Sequence, residues 1–260
     1  MNLDLHQKHA FVCGSTQGIG KAIALELAAL GAQVTLLARN EQKLQAVIKE
    51  LPGNAAHDYI CVDFAQPELL RQKTEAYLAG GKIVHILLIN TGGPAPGPVF
   101  EAKLEEFTRA FGMHILCSQH LAQLLAPGMK QAGYGRIITI ISTSVKQPIR
   151  GLGVSNTIRG AMANWAKTLA DELGPFGITV NNILPGYIHT ERHTALIKHK
   201  AEKSGKTEAE ILAQMKQEVP LRRIAEPAEV ATAAAFLASP AAGYVTGINL
   251  PVDGGRIGCL

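Results

Sequence analysis

Near its start the chain runs an apolar stretch, His9 to Cys13, straight into Gly14-Ser15-Thr16-Gln17-Gly18-Ile19-Gly20 and then into an Ala- and Leu-rich segment of helical periodicity. A strand, a turn with glycines at i, i+4 and i+6, and a helix opening at once leave few architectures to choose from. The glycines permit the tight turn, let the backbone approach a pyrophosphate and allow close helix–strand packing. The helix N-terminus then offers free N–H groups to phosphate oxygens. A loop of this kind predicts a dinucleotide site at the mouth of the first βα unit.

The rest of the chain keeps the same rhythm. Strands are expected at Gln33 to Ala38, Tyr59 to Val62, Ile83 to Ile89, Arg136 to Ile141, Thr179 to Leu184 and Ile248 to Val252. Between them lie helical patterns at Glu41 to Leu51, from after Val62 to about Ala79, at Leu104 to about Ala132 with a break or bend near Pro127, and at Val154 to Leu173. Alternating elements of these lengths imply parallel βαβ units with right-handed crossovers. The expected fold is α/β: a single doubly wound, Rossmann-type domain spanning 1–260, with a mostly parallel sheet of about seven strands and helices on both faces. Only Thr190 to Glu218 breaks the pattern, being polar, Lys-rich and helical in spacing without a strand. Ligands of open α/β sheets bind beyond the carboxyl ends of the strands, so an insertion at about 190–218 is placed to act as a lid. A solvated helical excursion is the plainer alternative.

Composition narrows the class further. Hydrophobic residues make up 47% and charged residues 18% of the chain, which excludes disorder. The formal net charge is only +4 and the basic residues are scattered, so no nucleic-acid partner is expected. No window approaches ~18 uninterrupted apolar residues and Met1 to His9 lacks a signal-peptide layout, so neither a membrane nor export is expected. Cys13, Cys61, Cys117 and Cys259 are far apart and without metal-ligand spacing. They read as free thiols in a reducing cytoplasm, with no metal site.

The spacing Gly14-x-x-x-Gly18-x-Gly20 resembles the glycine loop of the short-chain dehydrogenase/reductase family, and later landmarks agree. They are Asp63 after the third strand, Asn90-Thr91-Gly92-Gly93 after the fourth, and Gly135 to Ser142 around the fifth. Pro185-Gly186 through Thr190, Pro227-Ala228-Glu229-Val230 and Val252-Asp253-Gly254-Gly255 complete the set. The resemblance covers nearly the whole chain and is closest to the β-ketoacyl-carrier-protein-reductase-like branch. It implies a nicotinamide dinucleotide held by Gly14, Ser15, Gln17, Gly18, Ile19 and Gly20, with Asp63 on the adenine. Asn90, Thr91 and Gly92 would floor the pocket, while Pro185, Gly186, Ile188 and Thr190 would position the nicotinamide. It also implies a homo-oligomer, tetramer or dimer, built on the helices after strands four and five. Ala161, Ala163, Ala166 and Ala170 would let such helices approach closely, or would equally pack on the sheet. The second strand ends Leu36-Leu37-Ala38-Arg39-Asn40 with no acid at its tip. Arg39 offers a planar fork to a 2′-phosphate, so NADP(H) is expected over NAD(H), the alternative being a surface Arg paired with Glu41.

The chain departs from the family at the chemistry. The family places a Tyr-x-x-x-Lys pair on the helix after strand five, its Tyr thirteen residues beyond the active-site Ser. Here that count runs from Ser142 to Ser155, with Arg159 at the Lys position and no Tyr between Tyr134 and Tyr187. The family's supporting Asn aligns with His114. A serine hydroxyl is a far weaker acid than a Tyr whose pKa a neighbouring cation lowers, and Arg is in effect never deprotonated. Losing a positioned acid typically costs ~10²–10⁴ in rate. The candidate catalytic set is therefore Ser142, Ser155, Arg159 and His114. His114 stands either as a proton donor through a serine or water, or as a hydrogen-bonded core residue. Tyr187 is expected near the nicotinamide, chiefly as a packing contact. His189, His193 and His199 form a basic cluster with nearby lysines, for an anionic substrate or simply a solvated face. Two readings remain: an NADP(H)-dependent oxidoreductase of a carbonyl, alcohol or acyl thioester, 3-oxoacyl-reductase-like with an atypical site, or a non-catalytic dinucleotide-binding sensor or scaffold.

Overall fold

The computed structural model describes residues 1–259. Its seven strands form one parallel sheet: β1 (His9–Cys13), β2 (Gln33–Ala38), β3 (Asp58–Cys61), β4 (Ile86–Ile89), β5 (Gly135–Ile140), β6 (Ile178–Pro185) and β7 (Asn249–Val252), in the order β3-β2-β1-β4-β5-β6-β7. The chain is a single Rossmann-like α/β domain. Strand order reverses between β1 and β4, where Phe11 pairs with Leu87, and the crevice beyond a doubly wound sheet's strand ends opens at such a point.

Alternation along each strand explains the layers. Ala10 and Val12 turn to one face with α1 (Gly18–Ala29), α2 (Glu41–Glu50) and α9 (Pro227–Ala238), burying Ile23, Leu44 and Val230. Phe11 and Cys13 turn to the other, with α3 (Pro67–Leu78), α5 (Cys117–Ala132) and α6 (Gly153–Leu173), burying Leu70, Leu121 and Met162. Both faces being covered, the central strands are apolar throughout, as in Ile86–Ile89. Ala163, Ala166 and Ala170 are spent on this core, while Ala161 is only partly buried.

Two expectations need correcting. The fourth strand is shorter than Ile83 to Ile89, pairing only from Ile86. The helical stretch after it is interrupted not at Pro127 but earlier, where α4 (Leu104–Phe111) passes through a π turn at Gly112–Leu116 before α5 begins. Helix α5 continues through Pro127, which is exposed, so the carbonyl it leaves without an N–H partner faces solvent. The polar stretch after β6 folds as a helical hairpin, α7 (Glu191–Ser204) and α8 (Glu208–Gln217). Thr190 caps the first helix and Thr207 the second, and Ile197, Ala201, Ile211 and Met215 form a small core of their own. Among the described residues no helix is long and apolar enough to cross a membrane.

Leu88 is fully buried where β4 lies between β1 and β5. Leu88→Ala is expected to destabilise the protein by about 2–5 kcal/mol, read as a lowered denaturant midpoint at unchanged slope.

Candidate functional site

The glycine loop is closed by contacts that tolerate no side chain. Gly14 follows β1 with φ +61°, and a Cβ there would stand 2.2 Å from the Asn90 carbonyl at the end of β4. A Cβ on Gly20 would meet the Gly14 carbonyl at 2.2 Å and Asn90 Nδ2 at 2.7 Å. Asn90 Nδ2 donates to that carbonyl at 3.2 Å, tying the two strand ends together. Gly18, at φ +55°, lies beneath the Thr190 methyl group, which a Cβ would approach to 3.2 Å. The loop after β6 thus sits directly over the glycine loop.

Helix α1 starts here without a side-chain cap and without an acid in its first turn, so its N–H groups and dipole are open to an anion. Ser15 Oγ is buried beside them with no partner. Both features fit a pyrophosphate. At the tip of β2, Arg39 is exposed and among the described residues forms no ion pair, and the neighbouring Glu41 accepts from the Tyr59 hydroxyl at 2.9 Å. Lys43 reaches Gln17 Oε1 at 3.3 Å, and a cavity of about 330 Å³ lies between this lysine, Gln17, Gly18, Val47 and Glu191. Asp63, beyond β3, accepts from the Ala65 N–H at 2.9 Å. Gly186 packs on Asp253, which a Cβ would meet at 2.7 Å, and Ile188 is buried.

A second group gathers at the ends of β4 and β5. The π turn turns His114 inward to Thr91, with Nδ1 2.5 Å from the threonine Oγ1 and Nε2 buried without a partner. Arg159 is buried on α6 and donates from Nη1 to the Ile140 carbonyl at 3.0 Å and from Nη2 to the Thr91 carbonyl at 3.4 Å. Ser155 is buried one turn earlier on the same helix face. Ser142 lies just beyond β5, half-buried, its Oγ accepting from the Ser144 N–H at 3.1 Å.

Burial, with the charges of Arg159 and Arg192, pushes His114 down to about 3, so the imidazole is neutral near pH 7 and a poor proton donor. Burial and Arg192 lower Arg159 to about 10, and it keeps its charge. The Tyr187 hydroxyl donates to Glu218 at 2.6 Å with Arg256 over its ring, and burial with that bond pushes it up to about 12. His189 and His193 line a separate cavity of about 420 Å³ under the hairpin with Ile197, Leu212 and Arg223, while His199 is exposed. No set of three or more His, Cys, Asp or Glu suited to a metal occurs among the described residues.

The sequence reading missed Arg192. Its guanidinium packs on Gly93, where a Cβ would meet Nη1 at 2.4 Å. A signal for it existed, since a cation in the first turn of α7 opposes the helix dipole and needs another reason to be there.

Gly20→Ala is expected to destabilise the fold by about 1–3 kcal/mol in thermal unfolding, whereas Gly92→Ala, with nothing near its Cβ, is expected to stay within about 0.5 kcal/mol. His114 titrates near 6.5 when unfolded and near 3 when folded, so the unfolded chain binds the extra proton between those values. Stability must fall as pH drops through that window, by up to about 1.4 kcal/mol per pH unit for this one group. Denaturation of His114→Gln from pH 7 to 4 is expected to show a correspondingly flatter dependence.

The family model described as Enoyl-(Acyl carrier protein) reductase matches residues 14–256. The 7alpha-hydroxysteroid dehydrogenase of Escherichia coli (strain K12) is 34% identical over 258 residues, covering 98% of this chain and 96% of its own. The NADPH-dependent reductase BacG of Bacillus subtilis (strain 168) is 30% identical over 259 residues, covering 97% and 99%. The crystal structure of L-sorbose reductase from Gluconobacter frateurii, complexed with NADPH and L-sorbose, superposes with a TM-score of 0.92 at 30% identity over 100% of both chains. With the strand order, the glycine loop and these matches in agreement, the chain belongs to the short-chain dehydrogenase/reductase family of oxidoreductases.

Proposed function

We propose that this protein is an NADP(H)-dependent oxidoreductase that interconverts a carbonyl and an alcohol. The observation that carries the cofactor choice is the tip of β2, where Arg39 has no carboxylate partner among the described residues, with Lys43 one turn further on and no acid at the strand tip to hold a ribose diol. The NADPH named for BacG and for the sorbose reductase supports it. The resemblance to the β-ketoacyl-carrier-protein-reductase-like branch makes a 3-oxoacyl thioester one candidate substrate.

When bound, the cofactor supplies or accepts the hydride. Gly14, Ser15, Gln17, Gly18, Ile19 and Gly20 hold its pyrophosphate, Arg39 its 2′-phosphate and Asp63 its adenine. Asn90, Thr91 and Gly92 floor the pocket, and Pro185, Gly186, Ile188 and Thr190 orient the nicotinamide end. Reduction adds hydride to the carbonyl carbon and a proton to its oxygen, and oxidation removes both. In this chain Ser142 and Ser155 hold the reacting oxygen and pass its proton to and from water. Arg159 steadies the negative charge on that oxygen without giving up its own proton. His114 is a positioning residue, fixing Thr91 through a neutral ring. The α7–α8 hairpin serves as a lid. Phe111 and Leu116, each 44% exposed along α4 and the π turn, support a homo-oligomer, dimer or tetramer, built on this face. Four free thiols suit the cytoplasm.

The replaced acid and the neutral His114 favour one other reading, a dinucleotide-responsive sensor or scaffold without turnover. Thermal unfolding with each of the four nicotinamide dinucleotides tests both. NADPH at ~100 times its dissociation constant is expected to add ~2.7 kcal/mol, with NADH doing little and Arg39→Glu reversing the order. Consumption of NADPH across a panel of ketones, hydroxy compounds and acyl thioesters then separates enzyme from sensor. Stabilisation with no turnover on any of them favours the sensor, and no stabilisation by any dinucleotide ends both readings.

A further inference from the structure

Arg159 and Arg192 both reach the short segment after β4, Arg159 at Thr91 and Arg192 at Gly93. Arg159 comes from α6 and reaches the carbonyls of Ile140 and Thr91 at the ends of β5 and β4. Arg192 comes from the first turn of α7 and lies on Gly93, two residues after Thr91. After burial itself, the charge of Arg192 further weakens Arg159's hold on its proton. Among the described residues no carboxylate pairs with either.

A buried cation with no counter-ion is costly, and Arg159 is such a cation, whereas Arg192 is exposed. Carbonyl bonds leave most of Arg159's five N–H donors free. The same field covers His114, whose Nε2 is buried, unpartnered and on a residue only 1% exposed. When the Thr91 hydroxyl donates to Nδ1, Nε2 carries the hydrogen and becomes a third donor. Three donor groups, two of them charged, thus lie along Thr91 to Gly93, and among the described residues the acceptors near them are backbone carbonyls rather than a carboxylate.

We propose that this group binds a carboxylate on the substrate, so that the compound reduced or oxidised here is a small oxo- or hydroxy-carboxylic acid rather than a neutral ketone or a thioester. Arg159 is the fixed member, held by two carbonyls. Arg192 is the arriving member, since it rides on the hairpin and retains access to solvent. A planar carboxylate accepts bidentate donation from a guanidinium, and in a desolvated crevice that bond selects strongly against a neutral isostere. The assignment of this end of the crevice to substrate rests on the oxidoreductase reading, although the anion site itself does not.

Oxalate and its neutral isostere oxamide are the probes, titrated calorimetrically into the full-length protein with and without saturating NADP⁺. Oxalate is expected to bind in both cases and oxamide in neither. Arg192→Gln and Arg159→Met are each expected to weaken oxalate about tenfold to a hundredfold, with Arg192→Gln leaving NADP⁺ affinity within about twofold. Arg159→Met removes an uncompensated buried charge but also two hydrogen bonds to carbonyls, so its thermal unfolding is measured alongside, and Arg192→Gln, at an exposed position, carries the test if Arg159→Met melts lower. The imidazole nitrogen resonances of His114 are expected to shift with oxalate. Equal binding of oxamide, undiminished oxalate binding in Arg192→Gln, or competition between oxalate and NADP⁺ would each overturn the proposal. Competition would assign the arginines to the cofactor's phosphates. Failure of every dinucleotide to bind while oxalate still does would sink the oxidoreductase reading and leave the anion site standing.

Discussion

The contact between the Gly14 loop and Asn90 is where strand order, loop geometry and site meet. β1 and β4 are neighbours only because the sheet reverses direction of growth between them, and their ends are joined by an amide donating to a carbonyl. That approach is possible because neither Gly14 nor Gly20 carries a Cβ. It fixes the start of α1, and hence where the helix's free N–H groups point. It also fixes Thr91, the residue after Asn90, on which His114 and Arg159 both converge. One close approach of backbones therefore positions both the phosphate-facing and the chemistry-facing halves of the crevice.

The fold was legible because both of its signals are local. Apolar runs such as Ile86–Ile89 and the periodicity of α1 follow from burial on both sheet faces, and neither needs knowledge of distant neighbours. The π turn was not legible. Its sequence, Gly112 to Leu116, has no proline, and the visible breaker, Pro127, sits on the exposed side of a helix whose other face is clamped by Leu121, Leu125 and Met129. Burial of those residues outweighs one missing hydrogen bond.

The site was legible residue by residue but not as a set. Counting from Ser142 found Ser155 and Arg159, yet no spacing rule says that Arg159 lacks a counter-ion or that Arg192 reaches the same segment. The missing counter-ion depends on which side chains fail to reach Arg159, and the approach of Arg192 to Gly93 depends on how the hairpin folds back, so neither is written in a local spacing. The state of His114 was equally hidden, because a free imidazole titrates near neutrality and this one is held neutral by burial and two like-charged neighbours. Tyr187 shows the converse: its place in the chain points to the nicotinamide, but the carboxylate of Glu218, just beyond α8, takes its hydroxyl.

The hairpin of α7 and α8 closes its own small core through Ile197, Ala201, Ile211 and Met215, without drawing on the large cores that hold the sheet. Side chains on it can change, and so can its length, at little cost to the sheet and glycine loop beneath. Selection for a new substrate therefore has a region of low pleiotropy in which to work. A protein built this way can diversify what it recognises while the machinery that holds the dinucleotide stays the same.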